Sequence, residues 1–407
     1  MSIDAPSPGP LAGRHVVIVP AWWPSPEDRL AGVFFQDYVH MFAAAGARVG
    51  VVYADLVSPR KVTRDAPVSL IPRTTIEQVG DSPVLRMRGL HTAFGRPWIQ
   101  MQRFRRWLRK GLVAYSARFG RPDVLHAMCA IPSGWACTHL SDPLARRVII
   151  TEHTGPFSLA LTPATAEPFV FEAIRRAVHV VAVSELLKSQ MIAAGATREI
   201  HVIGNPVADE FTTSPIPSAE PMSPAKGPLH ALFVGRLTPE KGVYDLIDAA
   251  QRLAPRCDVI WRLIGDGPLA PELEQTVQRP DLANRVKLHG PLDRPQIRDH
   301  LLSADFFVHP SHGETFGLAF AEALCMGLPY VATDAAAQAL SPRPEDGVLY
   351  RAGSPADLAA AVETLISTKP SSGRTNRAAH YRARFSAQAV ALQYAELIAS
   401  PSIQNRR

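Results

Sequence analysis

Two glutamates, Glu314 and Glu322, stand eight positions apart in the stretch V-H-P-S-H-G-E-T-F-G-L-A-F-A-E-A-L-C-M-G-L-P-Y-V-A-T at residues 308–333. The first falls in a small polar loop after an apolar run, and the second about two turns into a helical pattern at roughly 100° per residue. Both can face one crevice. The backbone N–H groups of Phe316, Gly317 and Leu318 would be unpaired donors near the start of that helix, where phosphate is favoured. Carboxylates repel phosphate, so the glutamates' partners are expected to be neutral hydroxyls, such as the diol of a ribose or a hexose. An isolated glutamate pair is more simply one first-turn residue and one solvated residue. Here Glu322 shares its helix face with Leu318, Phe320, Ala321, Ala323 and Leu324, which argues against plain exposure.

A second group lies upstream, in V-G-R-L-T-P-E-K-G. Gly235 permits a tight strand exit. Arg236 offers a planar fork for phosphate oxygens, and Lys241 a point charge just before a helix starting near Gly242. Either alone would read as a surface cation at a helix start. Further glycines sit at strand ends in Gly265-Asp266-Gly267-Pro268 and Gly290-Pro291. In the first half, residues 148–151 form an apolar strand running into Glu152-His153-Thr154-Gly155. The C-terminal edge of a parallel strand is where ligands meet such sheets, so His153 is a candidate functional residue rather than a satisfied loop histidine. His126 has a similar position with weaker support.

These residues together resemble the retaining glycosyltransferases of the GT-B fold, the group 1 family (glycosyltransferase family 4), whose E-x7-E motif is matched by Glu314 and Glu322. The F-G-L turn and the G-L-P exit agree as well. The resemblance implies an α/β chain of two Rossmann-like, doubly wound parallel-sheet domains facing a cleft. It implies a UDP- or GDP-sugar donor, with Glu322 on the ribose, Glu314 on the transferred sugar, and Arg236 and Lys241 on the diphosphate. The N–H groups at Phe316, Gly317 and Leu318 would join them. Gly265, Gly267 and Gly290 are expected in loops on the base side, the first two near the phosphates, and His153 near the reacting carbon. The stretch P-A-W-W-P-S-P-E-D-R-L-A-G-V-F-F-Q resembles the family's first loop, in which Gly32 matches the glycine that lets the backbone approach the donor phosphate; ordinary loop flexibility is the competing reading. Two departures stand out: Pro206 and Ala208 interrupt the family's N-G-V-D turn, and Asp334-Ala335-Ala336-Ala337 replaces a Gly-Gly pair.

The implied reaction is a metal-independent, retaining transfer without cofactor, in polysaccharide or glycolipid synthesis, to a lipid-linked or saccharide acceptor. An epimerase or hydrolase of the same fold, or a non-catalytic scaffold, are the alternatives.

The elements that must position these groups follow from the length of 407 residues, too long for one ordinary core. A βα rhythm runs through residues 15–203, without the G-x-G-x-x-G of a dinucleotide site. It restarts at 229–234 after a stretch with five prolines. This gives a first domain at 1–211, a linker at 212–228 and a second domain at 229–385, with a helix at 386–407 packing back on the first.

Mean hydropathy is near zero, net charge is +6 and the pI is about 9.3. That balance suits nucleotide, membrane surface or nucleic acid alike; with the motifs above, no nucleic-acid partner is expected. Residues 82–122 contain no acid. Within residues 96–110, arginines interleave with Trp98, Met101, Phe104, Trp107 and Leu108 at helical spacing, so a basic amphipathic helix resting on an anionic membrane is expected. With no 20-residue apolar run and no basic leader, the expected location is cytoplasmic, peripheral on the inner face of the membrane. Cys129, Cys137, Cys257 and Cys325 lack metal or disulfide spacing and are expected as buried thiols.

Overall fold

Short runs rich in valine and isoleucine build two sheets whose central strands are covered on both faces, as expected for parallel pairing. The computed structural model describes residues 9–62, 68–91, 96–141, 144, 147–217, 222 and 227–400. Residues up to Pro206 and from Val390 on form one compact unit, and Val207–Ala389 form another.

The first unit holds β1 (His15–Val19), β2 (Arg48–Val57), β3 (Arg73–Val79), β4 (Ser82–Leu90), β5 (Val124–Met128), β6 (Val148–Glu152), β7 (His179–Ala182) and β8 (Ile200–Val202). Their order is β3-β4-β2-β1-β5-β6-β7-β8. Every neighbouring pair is parallel except the antiparallel β3–β4 hairpin. The helices are α1 (Phe34–Ala44), α2 (Pro97–Phe119), α3 (Trp135–Thr138), α4 (Glu167–Arg176) and α5 (Glu185–Ala193). Ser184 caps α5 by accepting from the Leu187 N–H at 3.1 Å. On α2, Met101, Phe104, Trp107, Leu108, Leu112 and Tyr115 are buried, and Gly111 abuts Val52, Leu85 and Met87. Most of the apolar stripe that interleaves with the arginines is therefore core. Phe104 and Trp107 are 2% and 6% exposed, and only Trp98, at 58%, stays open, stacked on Phe169.

The second unit carries β9 (Leu229–Val234), β10 (Val259–Ile264), β11 (Val286–Leu288), β12 (Phe306–His309), β13 (Tyr330–Thr333) and β14 (Gly347–Tyr350) in the order β11-β10-β9-β12-β13-β14, all parallel. Its helices are α6 (Asp209–Thr212), α7 (Val243–Leu253), α8 (Ala270–Thr276), α9 (Arg294–Ser303), α10 (Leu318–Cys325), α11 (Asp334–Leu340), α12 (Pro355–Thr368) and α13 (Arg374–Phe385). The sequence divides the chain at 211–212, whereas the packing divides it at Pro206–Val207. The cause is local: Val207 donates its N–H to the Phe385 carbonyl at 2.8 Å and bridges Ser386, which ties 207–212 to the end of α13. Residues 218–221 and 223–226 of the proline-rich stretch lie outside the described residues. Met222 within it is no free tether, since it is buried in the second core and donates its N–H to Asp305 Oδ1 at 2.8 Å.

A final helix, α14 (Ala387–Ala399), returns the chain to the first unit. Its Tyr394 packs on Tyr38, Phe42 and His126, and the hydroxyl hydrogen-bonds Thr151 at 2.8 Å.

Apart from the β3–β4 hairpin at the edge, the strand order reverses at β1/β5 in the first unit and at β9/β12 in the second. Outside the C-terminal ends of strands at such a reversal a ligand crevice is expected.

Candidate active site

In the second unit the reversal brings two loops together. After β9 the chain passes Gly235 and the exposed Arg236, makes a 3₁₀ turn at Pro239–Lys241 and enters α7 through Gly242. Gly242 has φ +69°, and a Cβ there would lie 2.0 Å from the Pro310 carbonyl oxygen, so only glycine permits this approach. The loop after β12 answers it: the His312 N–H donates to the Glu240 carbonyl at 2.9 Å, and His312 Nε2 lies 2.8 Å from Asp245 Oδ2.

Lys241 and Glu314, far apart in sequence, thereby form an ion pair, and His309 Nε2 lies 3.1 Å from the same Glu314 oxygen. Burial alone would raise the Glu314 pKa. The His309 imidazole and the Lys241 ammonium outweigh it and hold the carboxyl at about 2. Arg236, five residues earlier, is exposed and forms no close ion pair among the described residues, its charge acting on nearby Glu240.

Helix α10 starts at Leu318, behind Gly317 in the left-handed region. The first-turn N–H groups are therefore those of Leu318, Ala319 and Phe320, with the Ala321 N–H bonded to the Gly317 carbonyl. Of the three donors read from the sequence, only Leu318 belongs to the helix. The left-handed backbone at Gly317 delays the helix, and Phe316 packs instead against Phe385. Glu322 is buried at 8% exposure within α10, as its apolar face suggested. The loops at Gly265, Gly267 and Gly290 follow β10 and β11 and are tied together where the Gly265 N–H donates to the Gly290 carbonyl at 2.9 Å. Asp334–Ala337, the departure from the family pattern, is the first turn of α11. Thr333 caps it, accepting from the Ala336 N–H at 3.0 Å, and Asp334 Oδ1 accepts from the Ala335 N–H.

In the first unit, His153 follows β6 and is enclosed by Phe34, Phe35 and Tyr38 at ring distances of 5.3, 5.1 and 5.8 Å. Burial, with repulsion from His126 beyond it, lowers its pKa to about 3 despite Asn205 beside the ring. Both ring nitrogens are buried without a partner in hydrogen-bonding geometry among the described residues. His126 is likewise lowered to about 3 by burial, and its Nε2 lies 2.7 Å from Thr151 Oγ1. Glu152 is structural: its carboxylate accepts backbone N–H groups from Ala130, His153 and Thr154 at 2.8–3.0 Å, fixing the loop that carries His153. Gly32 precedes α1 at φ +69°, where a Cβ would lie 2.7 Å from the Trp22 carbonyl oxygen. The tight approach, rather than mere flexibility, requires glycine.

Sequence reading missed three supporting residues. His309 had only its strand-end position as a signal. Asn205, whose Oδ1 accepts from the Tyr38 hydroxyl at 3.0 Å, lay in the irregular Gly-Asn-Pro-Val turn. Tyr38 was one aromatic among several in α1. No group of three or more His, Cys, Asp or Glu among the described residues is arranged to hold a metal ion.

The model of "Glycosyl transferases group 1" matches residues 228–368, and that of "Glycosyltransferase Family 4" matches residues 31–211. The putative teichuronic acid biosynthesis glycosyltransferase TuaC of Bacillus subtilis is 30% identical over 224 residues, 52% of this chain and 53% of that protein. Glycogen synthase of Mycobacterium tuberculosis is 29% identical over 282 residues, 65% of each. The chain thus spans about half the length of TuaC and of similar curated relatives. Among solved structures, Anabaena HepE in complex with UDP superposes with a TM-score of 0.68 at 22% identity, covering 95% of this chain and 100% of that one. Sucrose-phosphate synthase from Thermosynechococcus elongatus gives 0.66 at 19% identity, covering 94% and 98%. With both halves matched by these two models and the fold shared along nearly the whole chain, the protein belongs to the group 1, family 4 glycosyltransferases and has the GT-B fold.

Proposed function

We propose that the chain transfers a sugar, with retention, from a nucleotide diphosphate sugar to a saccharide or lipid-linked acceptor. The observation that carries this reading is the arrangement at β9/β12: exposed Arg236 outside any close ion pair among the described residues, Lys241 paired with Glu314, the α10 N-terminus, and buried Glu322. A diphosphate entering there would draw Lys241 from Glu314 and join Arg236 and the first-turn N–H groups of α10. Two cations facing the leaving diphosphate stabilise charge that grows as the glycosidic C–O bond breaks. Glu314 is then free for sugar hydroxyls, and Glu322 holds the ribose. The acceptor oxygen forms the new bond on the same face while its proton passes to the departing phosphate oxygen. From the first unit, His153 is assigned to the donor sugar and Gly32 to the diphosphate, on the family resemblance. His153 serves there as a neutral imidazole, because its pKa of about 3 keeps it uncharged at neutral pH. A UDP- or GDP-sugar is the expected donor, and UDP bound to HepE supports the first.

The test is a panel of UDP- and GDP-sugars with saccharide and lipid-linked acceptors. One donor should turn over, with the product keeping the donor's anomeric configuration and with activity surviving a chelator. Changing Arg236 and Lys241 together to Ala should lower turnover by orders of magnitude, since each lost contact costs about 2–4 kcal/mol. Near-normal turnover in that double variant would remove the assignment. Donor consumption without acceptor would favour the hydrolase or epimerase reading.

A further inference from the structure

A cavity of about 520 Å³ opens at the C-terminal edge of the first unit's sheet, bounded by Pro24, Arg29, Arg73, Glu77, Arg86 and Arg88. Strand pairing explains why these residues meet. Arg73 stands opposite Arg88, and Thr75 opposite Arg86, in the β3–β4 hairpin, while Tyr53 and Asp55 of β2 pair with Arg86 and Arg88 on the other side. Directly paired residues share a face, so this face gathers guanidinium groups, whereas Leu85 and Met87 point to α2. Like charges directly opposite each other on paired strands are destabilising.

Part of that charge is compensated internally. Asp55 Oδ2 accepts from Arg88 at 2.6 Å and Arg86 at 3.3 Å, Glu27 accepts from Arg88 at 2.5 Å, and the Pro24 carbonyl accepts from Arg86 at 2.7 Å. Glu77, half-exposed, also meets Arg86. Four guanidinium groups thus face three carboxylates. Arg29 and Arg73 are exposed at the rim, with no ion pair among the described residues. The anchored pair, Arg86 and Arg88, holds the loop at residues 21–32, which walls the cavity with its first part and carries Gly32 at its end.

We infer that this cavity binds the acceptor and selects one bearing an anionic group, a carboxylate or a phosphate, taken in a bidentate fork by Arg29 and Arg73. The role "acceptor" rests on the transferase reading; the anion selectivity does not.

The test is calorimetric titration of the full chain, without donor, using trigalacturonate, galactotriose and glucose 6-phosphate. At least one anionic saccharide should bind tenfold or more tightly than the neutral trisaccharide, and comparing the two anions tells carboxylate from phosphate. An Arg29→Ser/Arg73→Ser variant with unchanged unfolding midpoint should lose the preference, and an Arg73→Glu variant should reverse it. Equal binding of charged and neutral saccharides, or an unaltered preference in the double variant, overturns the inference. Binding of this kind without any sugar transfer would sink the transferase reading and leave the anion site standing; transfer to neutral acceptors alone would do the opposite.

Discussion

Glu314 is ionised under nearly all conditions because two cationic or potentially cationic groups converge on one of its oxygens. Its folded pKa of about 2 lies below the ordinary 4.5. The stabilisation is therefore fully present above about pH 4.5 and is lost as pH falls towards 2, amounting to on the order of 3 kcal/mol when complete. Urea unfolding of the parent and of Glu314→Gln should show this: the parent's stability falls more steeply than the variant's across that window, and parallel curves would deny the coupling. The buried histidines act in a neighbouring window. His126 and His153 both lie near 3 against an ordinary 6.5, so their contribution is complete above pH 6.5 and is lost as pH falls towards 3. Their imidazole resonances should stay in the neutral form down to about pH 4 in an NMR titration. A midpoint near 6.5 for His153 would mean that water reaches the ring.

At the scale of the element, α2 separates two effects that its sequence merges. Its apolar stripe is core, so Trp107→Ala should cost about 3–5 kcal/mol. Arg106 and Arg109 are exposed beside a groove at His139 and Ser141, and their replacement by Ser should leave stability within about 0.5 kcal/mol, whereas Arg105 lies over the Trp135 ring. If this face meets an anionic membrane, as the basic run in the sequence leads one to expect, the double variant should sediment less with anionic vesicles, each basic residue near the surface being worth about 1 kcal/mol. Unchanged sedimentation would leave α2 an ordinary packed helix. The sequence showed α2 and most strands because their periodicity is local. It did not show the β3–β4 hairpin: β3 is exposed at nearly every position, as an edge strand can be, and Arg86 and Arg88 made β4 look like part of a basic run. Their partners, Asp55 and Glu27, are more than 30 residues away. The same limit applied at the site. The strand-end glycines and the glutamate spacing were legible, but the contact of Lys241 with Glu314 across 73 positions was not.

At the scale of the whole molecule, the second unit is an insertion: the chain leaves the first unit at Pro206 and rejoins it at Val390. Deleting residues 390–407 should remove the buried hydroxyl and ring of Tyr394 from beside Thr151, Tyr38, Phe42 and His126. The shortened chain should then show an early-melting first unit that binds hydrophobic dye, while the nucleotide diphosphate of the proposed donor, UDP or GDP, should still raise the midpoint of the second unit by linkage. A shortened chain with the parent's melting profile would mean that α14 is dispensable. The same topology has a consequence during synthesis. When Pro206 leaves the ribosome, roughly 180 residues separate it from the helix that completes its core, a delay of about 10–40 s at ordinary elongation rates. Through that interval the nascent first unit presents Tyr38, Phe42 and His126 without their cover, so it depends on slow self-association, or on a holding chaperone, until the last helix of its own core has been made.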